Sequence, residues 1–172
     1  MTFDFQPVLS DDLVRLRPMR QEDFEPLFSV ASDPAIWAQH PASDRYLEPV
    51  FRTFFDGGMQ GGGAFAILEA DGSRMIGSTR YHGYDPDASE VEIGWTFLAR
   101  SHWGGPWNRA VKHLMLDHAF RFVDRVILHA GPDNHRSWRA IEKIGGRPVG
   151  ERSGDDGRVS LRYAVTRETL AI

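Results

Sequence analysis

The feature that most constrains this chain is a helix-period segment held between two strand-period segments. Residues 90–98 alternate apolar and polar, with Val91, Ile93, Trp95 and Phe97 on one face and Glu90, Glu92, Gly94 and Thr96 on the other. Gly104-Gly105 then stop the strand, and Pro106 suits the first turn of a helix, where its missing N–H costs nothing. Val111, Leu114, Met115, Ala119, Phe122 and Val123 follow at three/four spacing and paint one helical face. Val126-Ile127-Leu128 is a buried-type strand ended by Gly131-Pro132-Asp133. Strand, glycine turn, helix and strand form a βαβ unit that sets a helix N-terminus at a strand's carboxyl end. Such an end offers free N–H groups and partial positive charge, which suits an anion such as a pyrophosphate. A plain crossover helix with no ligand is an equally open reading of this stretch alone.

A second helix begins at Asn134, with Ser137, Ala140, Ile141 and Ile144 on one face and Gly145-Gly146 as its stop. At this point the chain resembles the GNAT superfamily of acyl-CoA-dependent N-acyltransferases, in its RimJ/RimL-like branch. The residues that carry the resemblance are Glu92-Ile93-Gly94-Trp95, Trp103-Gly104-Gly105-Pro106-Trp107-Asn108, Asn134-x-x-Ser137 and Ala140-Ile141-Glu142-Lys143-Ile144-Gly145. It covers the last two-thirds of the chain well and the first third loosely.

The resemblance implies an α/β (α+β) fold, with a mixed, mostly antiparallel, strongly twisted sheet of six to seven strands flanked by four helices. It implies acetyl-CoA as cosubstrate, bound where the Glu92 strand splays from the next, parallel strand. Cofactor-binding positions are then Trp95, Trp103, Gly104, Gly105, Trp107, Asn108, Asn134 and Ser137. Pro106 stands where the family's loop has its central glycine, so the phosphates are expected in a rearranged cradle built on the N–H groups of Gly104, Gly105, Trp107 and Asn108. Glu92 is the candidate general base, acting directly or through water, since a carboxylate can take the proton an amine loses on attacking a thioester and partial burial would raise its pKa toward a useful value; a solvated strand glutamate is the competing role. Ser137 and Tyr163 are rival donors of a proton to the departing thiolate. The acceptor is a primary amine, either a protein N-terminus or a small molecule. A catalytically silent acyl-CoA-binding domain is the alternative, and a homodimer is common in the family.

The rest of the chain fits this frame. Leu13–Arg17 alternates as a strand, and a helix is expected over Gln21–Ala31 with Phe24, Leu27, Phe28 and Ala31 inward. Ile36-Trp37 opens a polar connection, and a second helix is expected over Leu47–Phe55. In such folds the first helices line the acceptor side, so Trp37, Tyr46, Phe51, Phe54 and Phe55 are candidate substrate contacts, Trp37, Tyr46 and Phe51 foremost, with core packing as their competing role. Gly57-Gly58 and Gly61-Gly62-Gly63 lack a following Gly-Lys-Ser/Thr and read as a flexible connector or lid rather than a P-loop. Ala64–Glu69 and Met75–Tyr81 form a hairpin around Asp71-Gly72, and Arg147–Glu151 with Val159–Thr166 form a closing hairpin.

Composition excludes several other chemistries. Net charge is −4, from 20 basic and 24 acidic residues with no single-sign run, so neither nucleic acid nor a membrane surface is an expected partner. There is no cysteine, hence no thiol nucleophile or disulfide frame. The 7 histidines include no His-Glu-x-x-His pattern, so no metal is expected. No apolar run reaches membrane length and the first residues carry no basic-then-apolar signal, so a cytoplasmic protein of one domain, residues 1–172, is expected.

Overall fold

The computed structural model describes residues 1–171. Its strands are β1 (Leu9–Ser10), β2 (Val14–Pro18), β3 (Ala64–Glu69), β4 (Met75–Asp85), β5 (Glu90–Leu98), β6 (Arg125–Ala130), β7 (Arg147–Ser153) and β8 (Val159–Thr166). They form one eight-stranded sheet in the order β1-β2-β3-β4-β5-β6-β8-β7. Every neighbouring pair is antiparallel except β5 and β6, which the βαβ crossover makes parallel. Five helices cover the sheet: α1 (Phe24–Ala31), α2 (Pro34–Trp37), α3 (Glu48–Gly61), α4 (Trp107–Ala119) and α5 (His135–Lys143). The fold class expected from the sequence is the one observed, with a short edge strand and the one-turn α2 added.

Two cores form, one on each face. Val91, Ile93 and Leu98 of β5 and Val126 and Leu128 of β6 pack beneath Val111, Met115 and Leu116 of α4 and Ile141 and Ile144 at α5. Phe97 of β5 packs on the other face with Phe24, Leu27, Trp37, Phe51, Phe54 and Phe55 from α1, α2 and α3. Both Ile93 and Leu98 therefore face α4, which a strict alternation forbids. The reason is a bulge: β4 pairs Ser78 with Phe97 but Arg80 with Gly94, so Trp95 and Thr96 together oppose the single residue Thr79. Trp95 has φ +52°, and the extra residue turns Trp95 and Phe97 away from Val91 and Ile93. The expected grouping of all four on one face is corrected accordingly; Gly94 had marked the place.

The glycine-rich segment is not a lid. Helix α3 runs through Gly57, Gly58 and Gly61, and Gly62 closes it in a left-handed conformation at φ +71°. At Gly63 a Cβ would lie 2.2 Å from the Tyr81 carbonyl oxygen, so the chain leaves the helix hard against β4. The inward face of α4 is also rotated from the expected one: Lys112, Leu116 and His118 are buried, whereas Leu114 is only partly so. Among the described residues no helix is long and apolar enough to cross a membrane.

Candidate active site

Strands β5 and β6 pair only from Glu90–Arg125 to Glu92–Ile127, and beyond that register they run on to Leu98 and Ala130 without bonding to each other. A gap therefore opens toward their carboxyl ends, leaving backbone groups on both walls that an extended ligand could pair. Helix α4 starts at the β5 side of this mouth and α5 at the β6 side.

The turn into α4 is built for an anion. Gly104 takes φ +71°, and Pro106 occupies the N-cap itself, one place before the first turn. Ala110 N–H donates to the Pro106 carbonyl, while the N–H groups of Gly104, Gly105, Trp107, Asn108 and Arg109 find no acceptor among the described residues. Those five donors, with the positive end of a 13-residue helix, fit a phosphate group. The proline removes one donor and leaves the cradle standing.

The tryptophans divide their work. Trp103 donates its indole N–H to the Leu98 carbonyl at 3.0 Å, and the Arg136 guanidinium lies 3.7 Å over its ring. That ring is committed to tying the end of β5 to α5. Trp107 packs its edge against His102 at 4.5 Å, and His102 is itself 2.9 Å from Glu69. Trp95 faces away from both, onto the α3 side.

Asn134 caps α5 by accepting from Ser137 N–H at 3.3 Å, while its amide NH2 group donates to no described residue. The side chain is buried at the gap's mouth and keeps a donor free. Ser137, half-buried in the first turn of α5, likewise makes no side-chain hydrogen bond among the described residues, not even to its own helix. Tyr163 lies directly across from Leu128, on the α4/α5 face, with 3% of its surface exposed. Burial and the nearby Glu142 push its phenol up, so it holds its proton at neutral pH.

Glu92 sits at the last paired register, on the face opposite Tyr163. His129 Nδ1 is 3.0 Å from Glu92 Oε1, and Arg152 Nη1 is 3.3 Å from Oε2. Burial pushes the carboxyl up, but the His129 hydrogen bond and the charges of His129, Arg152 and His82 outweigh it, and the net pKa lies below the ordinary value. The expectation that burial would make Glu92 a stronger base is thus overturned: the two partners that come with burial favour the ionised form. His129 was missed in the sequence. It is two residues past the end of β5–β6 pairing, its side chain is 10% exposed, and its Nε2 is buried without a partner. A histidine two positions after Ile127, on the same face as Glu92, was the available signal.

Among the candidate acceptor contacts, Trp37 and Phe51 are core residues at 3% and 0% exposure, and the Trp37 indole donates to the Ala31 carbonyl. Tyr46 packs against the rim of that core. A cleft of about 470 Å³ does open on this side, between α3 and the β4–β5 bulge, lined by Arg45, Val50, Phe54, Arg80 and Trp95.

Comparison with known proteins agrees with this arrangement. The sequence profile of the acetyltransferase (GNAT) domain matches residues 14–147. The chain belongs to the GNAT acetyltransferases. Solved GNAT structures superpose over nearly its whole length. The acetyltransferase (GNAT family) from Bacillus anthracis shares 21% identity, with a TM-score of 0.76 over 94% of this chain and 99% of that one. RimJ from Mycobacterium smegmatis, solved with CoA-disulfide, shares 22% identity, with a TM-score of 0.72 over 96% and 88% of the two chains. Spermidine N-acetyltransferase from Vibrio cholerae, solved with CoA and spermine, shares 14% identity, with a TM-score of 0.70 over 92% and 98%. At these identities the likeness is one of fold, and this GNAT protein's own residues must carry any statement about its acceptor.

Proposed function

We propose that this acetyltransferase moves an acetyl group from acetyl-CoA directly to a primary amine. The observation that carries the reading is the unpaired stretch of β5 and β6 ending at the five unpartnered N–H groups of residues 104–109. Acetyl-CoA supplies an activated thioester carbonyl. The donors at the α4 turn suit its pyrophosphate, and the open strand edges with the Asn134 amide suit the amide groups of its pantetheine arm.

The proton leaving the amine goes to the Glu92–His129 pair. In the neutral tautomer of His129 that donates Nδ1–H to the carboxylate, Nε2 carries a lone pair and has no competing partner among the described residues. Glu92 then orients the imidazole and offsets the charge it acquires, while Arg152 sets a second positive group beside the carboxylate. On the other face, Ser137 and Tyr163 are the two unengaged hydroxyls that can give a proton to the thiolate. The amine is either a small molecule or a protein N-terminus; of the structures alike in fold, the spermidine N-acetyltransferase was solved with the small-molecule amine spermine.

Calorimetric titration with acetyl-CoA, followed by thiol release with an amine panel, tests the reading. Glu92→Gln and His129→Asn should each lower kcat on the order of 100-fold or more, as loss of a general base does, with acetyl-CoA affinity kept. Full activity in His129→Asn with loss in Glu92→Gln would return the base role to the carboxylate alone. Absence of acetyl-CoA binding at millimolar ligand would sink the proposal as a whole.

A further inference from the structure

The cleft between α3 and the β4–β5 bulge holds two cations that make no ion pair among the described residues, the one acidic group acting on them being Asp44 beside Arg45. Arg45 and Arg80 lie on the same aromatic ring, their guanidinium carbons 4.8 and 4.7 Å from the centroid of Phe54. Arg80 is also 4.8 Å from the Trp95 ring, and its Nη2 donates to the Phe54 carbonyl at 2.7 Å. Its Nε is buried without a partner. Among the described residues the one polar contact of the Arg45 side chain is with His40 Nε2 at 3.5 Å. Among the described residues neither arginine has a carboxylate within 4.0 Å, although Arg17, Arg125, Arg152 and Arg162 all do.

Desolvation draws Arg45 and Arg80 down to about 10, and each remains charged at neutral pH. His40 nearby is driven to about 4 by burial and by the charges of Arg45, Arg136 and Arg158. The corner is therefore strongly positive and short of counter-charge. Buried charge without a partner is costly, and cavity-facing guanidinium donors are well matched to planar or tetrahedral oxyanions.

Glu92 and His129 do not line the cleft themselves, and Trp95 is the side chain that connects it to them. Trp95 lines it and is the bulge residue next to the β5–β6 gap. The Trp95 ring meets His82 edge-on at 5.2 Å, and His82 pairs with Glu92 in the sheet. We propose that this cleft is the acceptor site and that the acceptor carries an anionic group, a carboxylate or a phosphate, beside its primary amine. The inference rests on the acyl-transfer reading for its name as acceptor site. Phe54 and Trp95 take the apolar part, Arg45 and Arg80 hold the anion, and the amine is left toward Glu92 and His129. A polycation such as a polyamine would add positive charge to a corner that already has too much.

Direct binding tests this without requiring turnover. The intact protein is titrated with glycine, leucine and phenylalanine, with their carboxamides, with ethanolamine phosphate against ethanolamine, and with spermidine, reading tryptophan fluorescence. The anionic member of at least one pair should bind tighter on the order of tenfold, the worth of one charge-assisted hydrogen bond. That margin should collapse in Arg80→Gln and in Arg45→Gln. Because Arg80 also bonds the Phe54 carbonyl, Arg80→Lys supplies a folded variant that keeps charge and loses the fork. Equal or tighter binding of the amides or of spermidine, no binding of any anionic amine, or a margin that survives in both Gln variants would overturn the proposal. Thiol release with carboxamides but not with acids would overturn it while leaving acyl transfer intact. Arginine-dependent binding of acids with no thiol release from any amine would instead count against acyl transfer and keep the anion site.

Discussion

Lys112 offers the sharpest quantitative test of the structure. It lies on α4 with 6% of its surface exposed, and its only polar contact among the described residues is Nζ to Thr96 Oγ1 at 2.5 Å. No carboxylate reaches it among the described residues. Burial pulls its pKa from 10.5 to about 7. The unfolded chain therefore holds this proton up to 10.5, whereas the folded chain releases it near 7. Between those values the unfolded state binds more protons, so stability rises with pH across the window and the penalty is complete below it. At about 1.4 kcal/mol per pH unit, the lysine costs the fold about 4 kcal/mol at pH 7. That is a large share of a typical total of about 5–15 kcal/mol. Lys112→Met fills a similar volume and gives up one hydrogen bond worth about 1 kcal/mol. Thr96 stays satisfied through Thr79 at 2.8 Å. The variant should gain about 3 kcal/mol at pH 7, the gain fading toward pH 10.5. Urea denaturation of both proteins at several pH values between neutral and alkaline, followed by tryptophan fluorescence, reads this directly. Curves that stay parallel across that range would show that the ammonium is not desolvated, and the packing of α4 on the β5 bulge would have to be redrawn.

Other outcomes follow from single positions. Asn134→Ala should cost about 1 kcal/mol through the lost cap, and it should also raise KM for acetyl-CoA. Asn134→Asp keeps the cap and removes the amide donor, so thermal melts and kinetics together separate the two roles; a KM unchanged in both variants would remove Asn134 from the cosubstrate site. Gly63→Ala drives a Cβ to within 2.2 Å of the Tyr81 carbonyl and should lose on the order of 3 kcal/mol or fail to fold. Gly61→Ala, where nothing lies within 4 Å, should be neutral or stabilising by up to about 1 kcal/mol.

Much of the architecture was legible because it depends on local period and punctuation. The α4 crossover, the Asn134 cap, the Asp71-Gly72 hairpin and the closing hairpin are each dictated by residues within a few positions of one another. Local pattern fails where a distant partner intervenes. Two-residue alternation through Glu90–Leu98 fails at Trp95 because pairing with Thr79 inserts a bulge. Helix α3 takes in Gly57, Gly58 and Gly61, where Gly58 lies close against Ala64, and Gly63 just beyond its end sits against Tyr81. Tolerance for glycine looks like flexibility until the packing is known.

The candidate site divides along the same line. The amino-acid sequence by itself determined the helix N-terminus with its free N–H groups, the capping asparagine and the strand bearing Glu92, since each is a matter of chain neighbours and backbone geometry. Only the tertiary structure decided that Glu92 is lowered rather than raised in pKa, because that depends on His129 and Arg152, 37 and 60 residues away. The same holds for Arg45 and Arg80, which share the Phe54 ring across two elements. Periodicity reports which face a side chain occupies. Charge, protonation and recognition depend on what stands opposite, and in a sheet that partner belongs to another strand.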